Sequence, residues 1–125
     1  MSNVPRLNVI AWHAVQGDEQ SNVLKLANDA DPMSLVDGLA GIERIELHFP
    51  HFTDGRAYSQ AYLLRRRLGF TGDLRATGDV QIDQILQIAR TGFSSAVLNE
   101  GLDPADAASH LARYSGFYQR DLVGA

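Results

Sequence analysis

The sequence of 125 residues contains no cysteine. This absence excludes disulfide bonds, thiolate nucleophiles and cysteine-ligated metal centres, including the usual iron–sulfur clusters. The sequence also lacks a Gly-x-Gly-x-x-Gly loop, a Walker-type loop and a recognisable serine-nucleophile motif. We therefore predict no bound nucleotide or other cofactor from the residues themselves.

Basic charge and long apolar runs are also scarce. Lysine and arginine number 11 against 15 aspartates and glutamates, so the formal net charge is -4. An acidic balance argues against general binding to nucleic acid or to acidic membranes. No apolar stretch approaches the ~20 residues that span a membrane, and residues 1–14 lack the basic start and apolar run of a signal peptide. The expected location is the cytoplasm.

What remains fits a single α/β domain over residues 1–125, with an apolar content of 45%, which is enough for one core. Apolar and polar residues alternate most clearly over 44–49, and this period of two predicts a β-strand. Further strands are predicted over 23–26, 74–77 and 96–98, and residues 7–12 are a candidate edge strand.

Helices are predicted between and after these strands. Two Asp-Pro pairs, at residues 31–32 and 103–104, are typical helix starts, because aspartate caps the first turn and proline suits its first position. A longer helix is predicted over 56–68, and Asp79 is the predicted cap of another helix that ends at Gly92. The predicted buried stripes are Leu35, Val36 and Leu39; Ala57, Ala61, Leu64 and Leu68; Ile82, Ile85, Leu86 and Ala89; and Ala107, Ala108, Leu111 and Ala112.

Repeated β-α units predict a mostly parallel sheet. Two layouts fit this pattern: a small open sheet, or about half of a (β/α)8 barrel. Polar residues alternate with apolar ones along the strands, so the sheet is expected to bury one face against helices and to present a polar face on the other side. The residues assigned to the polar face are Lys25, Glu46, His48, Arg75 and Thr77. A sheet covered on one side invites a partner, and a homodimer is expected.

The loop Asp54-Gly55-Arg56 is the first candidate site, because it lies directly before a predicted helix. The free N–H groups of the first turn, the Arg56 guanidinium and the Ser59 hydroxyl are suited to hold sulfate, sulfite or phosphate. We expect Arg75 to line the same pocket. The competing interpretation is structural: Asp54 caps the helix, and Arg56 pairs with a nearby aspartate.

A second candidate site lies on the polar face, where Glu46, His48, Arg75 and Asp79 come from neighbouring strands. A histidine beside a carboxylate is suited to acid–base catalysis and an arginine to holding a charged substrate, so His48, Arg75 and Asp79 are the catalytic candidates. The competing interpretation is a satisfied polar network. The histidines on either side of Pro50 do not secure three protein ligands, so no metal site is predicted.

Three motifs stand close together in the centre of the chain. Residues 49–56 read Phe-Pro-His-Phe-Thr-Asp-Gly-Arg, residues 59–65 read Ser-Gln-Ala-Tyr-Leu-Leu-Arg, and residues 69–79 read Gly-Phe-Thr-Gly-Asp-Leu-Arg-Ala-Thr-Gly-Asp. These motifs closely resemble those of a bacterial family, domain of unknown function 934. The resemblance is specific over about residues 45–93. The sequence departs from the family's usual Gly-Asp-Val-Leu-Arg-Asp-Gln run, since Ile82 stands at the position of its arginine.

The resemblance implies a role in assimilatory sulfur metabolism, because the family is usually encoded beside sulfite reductase and phosphoadenylylsulfate reductase. Together with the missing cofactor motif and the Asp54-Gly55-Arg56 loop, it favours an accessory or small-anion-binding protein, with the sulfite reductase haemoprotein or phosphoadenylylsulfate reductase as partner. Two alternatives stay open: a catalytic oxidoreductase of sulfite reduction that uses the polar strand face, and a purely structural partner of the reductase. The run of arginines at 65–67 is interpreted as a solvated helix face or as a docking patch for an acidic partner.

Overall fold

The computed structural model describes residues 7–15 and 22–113, which build a parallel β-sheet with helices between its strands. Its five strands are β1 (Asn8–Ile10), β2 (Val23–Leu26), β3 (Arg44–Phe49), β4 (Asp73–Gly78) and β5 (Ser95–Val97). All neighbouring strands run parallel, in the order β1-β5-β4-β3-β2. The predicted α/β fold with a parallel sheet is therefore confirmed, including the edge strand near the start of the chain.

The helical segments are less regular than the sequence predicts. Helix α1 (Arg56–Tyr62) continues into a π-helical turn (Leu63–Arg67), and helix α2 (Ile85–Thr91) follows a 3-10 turn (Ile82–Gln84). Helix α3 covers 104–113 within the described residues. Two further 3-10 turns span Trp12–Val15 and Pro32–Leu35. No helix in the described ranges combines the length and apolarity needed to cross a bilayer.

The helix predicted after Asp31 is a single 3-10 turn. Asp31 does cap it, since its Oδ1 accepts a hydrogen bond from the Met33 N–H at 3.0 Å. However, Val36 is 62% exposed, so its predicted place in a buried stripe is wrong. Glycines at 38 and 41 follow closely, and glycine is a poor helix former because it loses the most backbone freedom on folding.

Consecutive strands from β2 to β5 are neighbours in the sheet, which is the order found in a (β/α)8 barrel. Such connections cross over with one hand, so the helices gather on one face. β1 joins the far side of β5, and the described strands form an open sheet with β1 and β2 at its edges. The covered face holds the core. Its fully buried strand residues include Ile45, Leu47, Phe49, Leu74, Ala76 and Ala96.

Two of the predicted helix stripes need correction. In α2 the fully buried residues are Ile85 and Ile88, which share one face of the helix, whereas Leu86 and Ala89 are only partly buried. In α3, Ala107 is buried and Leu111 packs against the core. Ala108 and Ala112 are exposed instead.

Candidate functional site

The sheet face opposite the helices carries rows of charged residues fixed by the strand register. Lys25 on β2 pairs with Glu46 on β3, Glu46 pairs with Arg75 on β4, and Arg75 pairs with Ser95 on β5. The next row toward the carboxyl ends pairs His48 with Thr77. We call this surface the open face. It confirms the predicted direction of all five polar strand residues.

Arg75 lies in the middle of the open face and is held rigidly. It is only 8% exposed. Its Nε donates to the Ser95 Oγ at 3.0 Å, and its Nη2 lies 3.6 Å from the Asp73 Oδ2. The other oxygen of Asp73 accepts hydrogen bonds from the hydroxyls of Ser94 and Ser95 at 2.6 and 2.8 Å. Arg75 is thus a positioned cation rather than a mobile surface side chain.

The carboxylate of Glu46 is offset by another cation on the same strand. The Nε of Arg44 lies 3.2 Å from the Glu46 Oε2, and both side chains are largely buried. This contact is an ion pair without good hydrogen-bond geometry, since the Arg44 Nε has no hydrogen-bond partner. Because Glu46 is paired with Arg44, and Arg75 with Asp73, the exposed Lys25 supplies the excess positive charge of the row.

Two adjoining cavities open on this face. The smaller one, of about 200 Å³, is lined by Trp12, Val15, Lys25, Glu46, Arg75, Thr77, Gly78 and Val97. The larger one, of about 570 Å³, is lined by Lys25, Leu26, Ala27, Asn28, Asp29, Glu46, His48, Pro50 and Thr77. They share the side chains of Lys25, Glu46 and Thr77 as a common wall. The small cavity is therefore the more cationic, and the large one carries the additional carboxylate of Asp29.

A buried glutamine fixes the turn that forms one end of the larger cavity. The Gln60 Nε2 donates to the carbonyls of Ala27 and Ala30, both at 2.9 Å, and Gln60 is only 4% exposed. The Asn28 Nδ2 in turn donates to the Asp54 Oδ2 at 3.2 Å. The turn after β2 is consequently tied both to α1 and to the loop before α1.

The Asp54-Gly55-Arg56 loop largely satisfies its own charges. The Asp54 Oδ1 accepts the Arg56 backbone N–H at 3.0 Å and lies 3.9 Å from the Arg56 Nε, while the Arg56 Nη1 donates to the Asn28 Oδ1 at 3.5 Å. The hydrogen bond from the Arg56 N–H lowers the pKa of Asp54; partial burial opposes this, and the bond from Asn28 and the Arg56 charge add to it. An aspartate thus occupies the position expected for an anion.

Of the other members of the predicted anion site, Gly55 and Ser59 flank Arg56, whereas Arg75 does not converge on this loop. Gly55 and Ser59 are exposed. Arg75 lines the smaller cavity on the open face, and Arg56 does not line that cavity. The expected pocket shared by Arg56 and Arg75 is not formed, because α1 lies on the covered face of the sheet and Arg75 points to the other one.

Asp79 ties together three loops at the carboxyl edge of the sheet. Its Oδ2 accepts the Phe52 backbone N–H at 2.8 Å, and its Oδ1 accepts the side-chain amides of Gln81 and Asn99 at 2.6 and 2.7 Å. The Gln81 bond lowers the pKa of Asp79; partial burial opposes it, and the bonds from Phe52 and Asn99 and the charge of His51 lower it further. Gln84 also donates to the Phe52 carbonyl, so the backbone of Phe52 is held on both sides.

This arrangement corrects one prediction and divides the catalytic candidates. Asp79 does not cap the following helix, because Gln81 and Gln84 form a reciprocal capping box there. Of the three candidates, His48 and Arg75 lie on the open face in adjacent rows, with His48 exposed in the larger cavity. Asp79 is instead engaged in the loops. Among the residues described, no three histidine, aspartate or glutamate side chains are grouped to hold a metal ion.

Arg65 departs from the predicted solvated face. Its Nε donates to the Gly92 carbonyl at 2.8 Å, and its Nη1 donates to the carbonyls of Phe70 and Gly72 at 2.9 and 2.8 Å. Burial lowers the pKa of Arg65, and the charge of Asp73 opposes that shift. Arg66 and Arg67 are exposed, as the prediction has them. The run of three arginines is therefore one structural residue and two surface residues.

Sequence reasoning missed Gln60 and the structural role of Arg65, although the helical spacing carried a signal for both. The apolar stripe of α1 passes through Ala57, Ala61 and Leu64. Gln60 lies three residues after Ala57, and Arg65 lies four after Ala61, so each falls on or beside the buried stripe. A polar residue at such a position needs an internal partner, because burial without one is costly.

Comparison with known proteins agrees with the motifs. Residues 23–125 match the family DUF934, described as a bacterial protein of unknown function. Comparisons with curated proteins and with solved structures give no match. The match covers most of the 125 residues and contains the turn after β2, the open-face residues of β2 to β4 and the Asp79 loops. The chain belongs to the DUF934 family of bacterial proteins.

Proposed function

We propose that this protein binds a small oxyanion on the open face of the sheet and serves as an accessory protein of sulfite or sulfate assimilation. One observation carries the binding site: the rigidly held Arg75 lines a cavity with the exposed Lys25, on the face opposite the helices. A fixed guanidinium and a lysine that line one cavity, on either side of Glu46, are suited to an oxyanion, because charge-assisted hydrogen bonds are short and strong.

The distribution of charge supports the smaller cavity over the Arg56 loop. In the cavity, Glu46 already has Arg44 as an ion-pair partner, so its carboxylate repels an anion bound near Lys25 and Arg75 less strongly. At the loop, the carboxylate of Asp54 already accepts the first helical N–H and lies beside the Arg56 guanidinium. A second anion would have to compete with that carboxylate.

The link to sulfur metabolism comes from the family resemblance, which makes sulfite and sulfate the first anions to test. The proposed partner is the sulfite reductase haemoprotein or phosphoadenylylsulfate reductase, and the proposed location is the cytoplasm. We further propose a homodimer, because the described strands form an open sheet with two edges and with one face that the described α-helices do not cover.

The test is calorimetric titration of sulfite, sulfate and phosphate into the wild-type chain and two matched variants. Lys25→Gln removes an exposed cation from the open face, and Arg56→Gln removes an exposed cation from the predicted loop site. We expect Lys25→Gln to weaken anion binding by about three- to tenfold, as the loss of one partly screened charge contact implies. Arg56→Gln should bind as wild type does. If Arg56→Gln weakens anion binding and Lys25→Gln does not, the anion site lies at the Arg56 loop instead.

A catalytic use of the same face is the second candidate, favoured by the exposed His48 in the cavity next to the one that holds Arg75. Its test is incubation of sulfite with the protein and a reduced dye as electron donor, followed by ion chromatography to measure the remaining sulfite. Conversion by the wild-type chain that His48→Gln abolishes would favour an oxidoreductase. Unchanged sulfite in both samples, together with binding, would favour the accessory role.

A further inference from the structure

We propose that the natural occupant of the open face is an organic oxyanion: a phosphate or sulfate ester of an uncharged, hydroxyl-bearing body. The proposal rests on the oxyanion site described above and specifies the ligand class. The ester group would lie in the smaller cavity, near Lys25 and Arg75. The body of the ligand would extend past the shared wall into the larger cavity, toward Asn28 and Asp29.

The sizes of the two cavities carry the first step. Sites for organic ligands occupy about 300–1,000 Å³ in most proteins. The larger cavity, of about 570 Å³, falls within that range, whereas the smaller one, of about 200 Å³, falls below it. Because Lys25, Glu46 and Thr77 line both cavities, one ligand can reach from one to the other. An inorganic anion alone would leave the larger space unused.

The charges of the two cavities carry the second step. In the smaller cavity Glu46 pairs with Arg44 and Arg75 pairs with Asp73, so Lys25 leaves an excess positive charge that suits the anionic end of a ligand. The larger cavity presents the carboxylates of Asp29 and Glu46, the amide of Asn28 and the imidazole of His48. Carboxylates accept hydrogen bonds from hydroxyl groups and repel a second negative charge. The body of the ligand should therefore be neutral and rich in hydroxyl donors.

The preorganised turn carries the third step. Gln60 anchors the backbone on both sides of Asn28 and Asp29 through the carbonyls of Ala27 and Ala30. Asn28 is further oriented by its bonds to Asp54 and Arg56. Polar groups held in place before binding lose little conformational freedom when the ligand arrives, which favours affinity.

The experiment compares five probes by calorimetry: inorganic phosphate, inorganic sulfate, glucose 6-phosphate, glucose 6-sulfate and glucose. We expect at least one glucose ester to bind about tenfold tighter than its inorganic anion, and the ester that does so identifies the group. Asp29→Ala should weaken the binding of that ester by about three- to tenfold and leave the affinity for the inorganic anion unchanged. Asp37→Ala, which truncates another exposed aspartate outside both cavities, is the matched control and should bind as wild type.

The outcomes separate this inference from the site itself. If both esters bind no tighter than their inorganic anions, the organic ligand class is wrong while the oxyanion site stands. If Asp29→Ala and Asp37→Ala bind the esters equally well, the larger cavity does not hold the body of the ligand, and the proposal is again overturned. If no anionic probe binds at millimolar concentration, both the ligand class and the oxyanion site are wrong. Thermal unfolding of each variant confirms that the chain remains folded.

Discussion

At the scale of single residues, the aspartates around the carboxyl edge of the sheet hold loops together. Asp79 accepts hydrogen bonds from Phe52, Gln81 and Asn99, which come from the loops after β3, β4 and β5. Asp54 connects the loop before α1 to Asn28 after β2. In the motif Phe-Pro-His-Phe-Thr-Asp-Gly-Arg, Phe49 therefore packs in the core. The residues after it form a loop that other segments hold in place.

Replacing Asp79 by alanine should lower the free energy of unfolding by about 2–3 kcal/mol, because three donors lose a charged acceptor and remain only partly solvated. The measurement is urea unfolding at neutral pH. Asp37→Ala is the control, and it should change stability by less than about 0.5 kcal/mol, as exposed substitutions commonly do. Equal unfolding midpoints for the two variants would contradict the role assigned to Asp79.

The same contacts predict how stability depends on pH. The folded-state pKa values of Asp79 and Asp54 lie below the ordinary value of 3.8. A depressed folded pKa means that the unfolded chain takes up the proton first, so the contribution to stability is present above about pH 4 and is lost as pH falls through the folded pKa. Asp79→Asn should reduce this loss of stability at low pH, which is the acid limb of a plot of the free energy of unfolding against pH. An unchanged acid limb would count against a depressed pKa.

At the scale of elements, the end of α1 is joined to the strands by Arg65. The π-helical turn brings its guanidinium to the carbonyls of Phe70, Gly72 and Gly92, which lie before β4 and after α2. Gly92 has a φ of +122° and lies close against the Arg65 side chain, so a β-carbon there would clash with it. The glycine thus both ends the helix and leaves room for the arginine.

Arg65→Ala should destabilise the fold by about 2–4 kcal/mol, because several carbonyls lose a charged donor in a partly buried setting. Arg65→Lys should retain part of that stability, since an ammonium keeps the charge but cannot reproduce the planar fork. The exposed Arg67→Ala is the matched control. Thermal or urea unfolding of the three variants provides the measurement, and a loss in Arg67→Ala as large as in Arg65→Ala would refute this assignment.

The burial of Arg65 also changes how a docking patch on the π-helical turn after α1 should be tested. Charge reversal at Arg65 would damage the fold, so the informative variant is Arg66→Glu with Arg67→Glu, both on the exposed side. If this face contacts the sulfite reductase haemoprotein, the double variant should weaken co-purification, and the difference should be larger at low salt. Equal recovery of the reductase with wild type and variant would exclude the π-helical turn from the proposed interface.

At the scale of the whole molecule, the two faces of the sheet differ. Helices cover one face, the open face carries charge, and β1 and β2 end the sheet in the described part of the chain. The strand order from β2 to β5 is that of a barrel. Parallel sheets are normally covered on both faces, so the polar side of this one is the natural place for a ligand or a second protein.

This asymmetry underlies the proposed homodimer. Light scattering over micromolar concentrations should give twice the chain mass, and the Lys25→Glu variant, placed on the edge strand β2, should shift the equilibrium toward monomer if that edge pairs. Chain mass unchanged from monomer at every concentration would rule the dimer out. A dimer insensitive to Lys25→Glu would move the interface away from β2.

The amino-acid sequence by itself determined the order of the elements, because hydrophobic period and turn residues are local properties. The alternation over β3, the Asp-Pro starts and the glycine stops predicted the parallel α/β fold and the five residues of the open face. The family followed from the same central motifs. Helix lengths were less predictable, because the 3-10 and π turns depend on packing against the sheet.

Only the tertiary structure decided which polar residues meet. The sequence placed Arg56 at a helix start, Arg75 on the polar face and Asp79 after a strand, but which of these side chains lie close together follows from strand register and crossover. Register put Glu46 between Lys25 and Arg75, and loop packing brought Phe52, Gln81 and Asn99 to Asp79. Contacts across about 30 residues, such as Gln60 with Ala27, arise when the sheet assembles, and the local sequence carries no record of them.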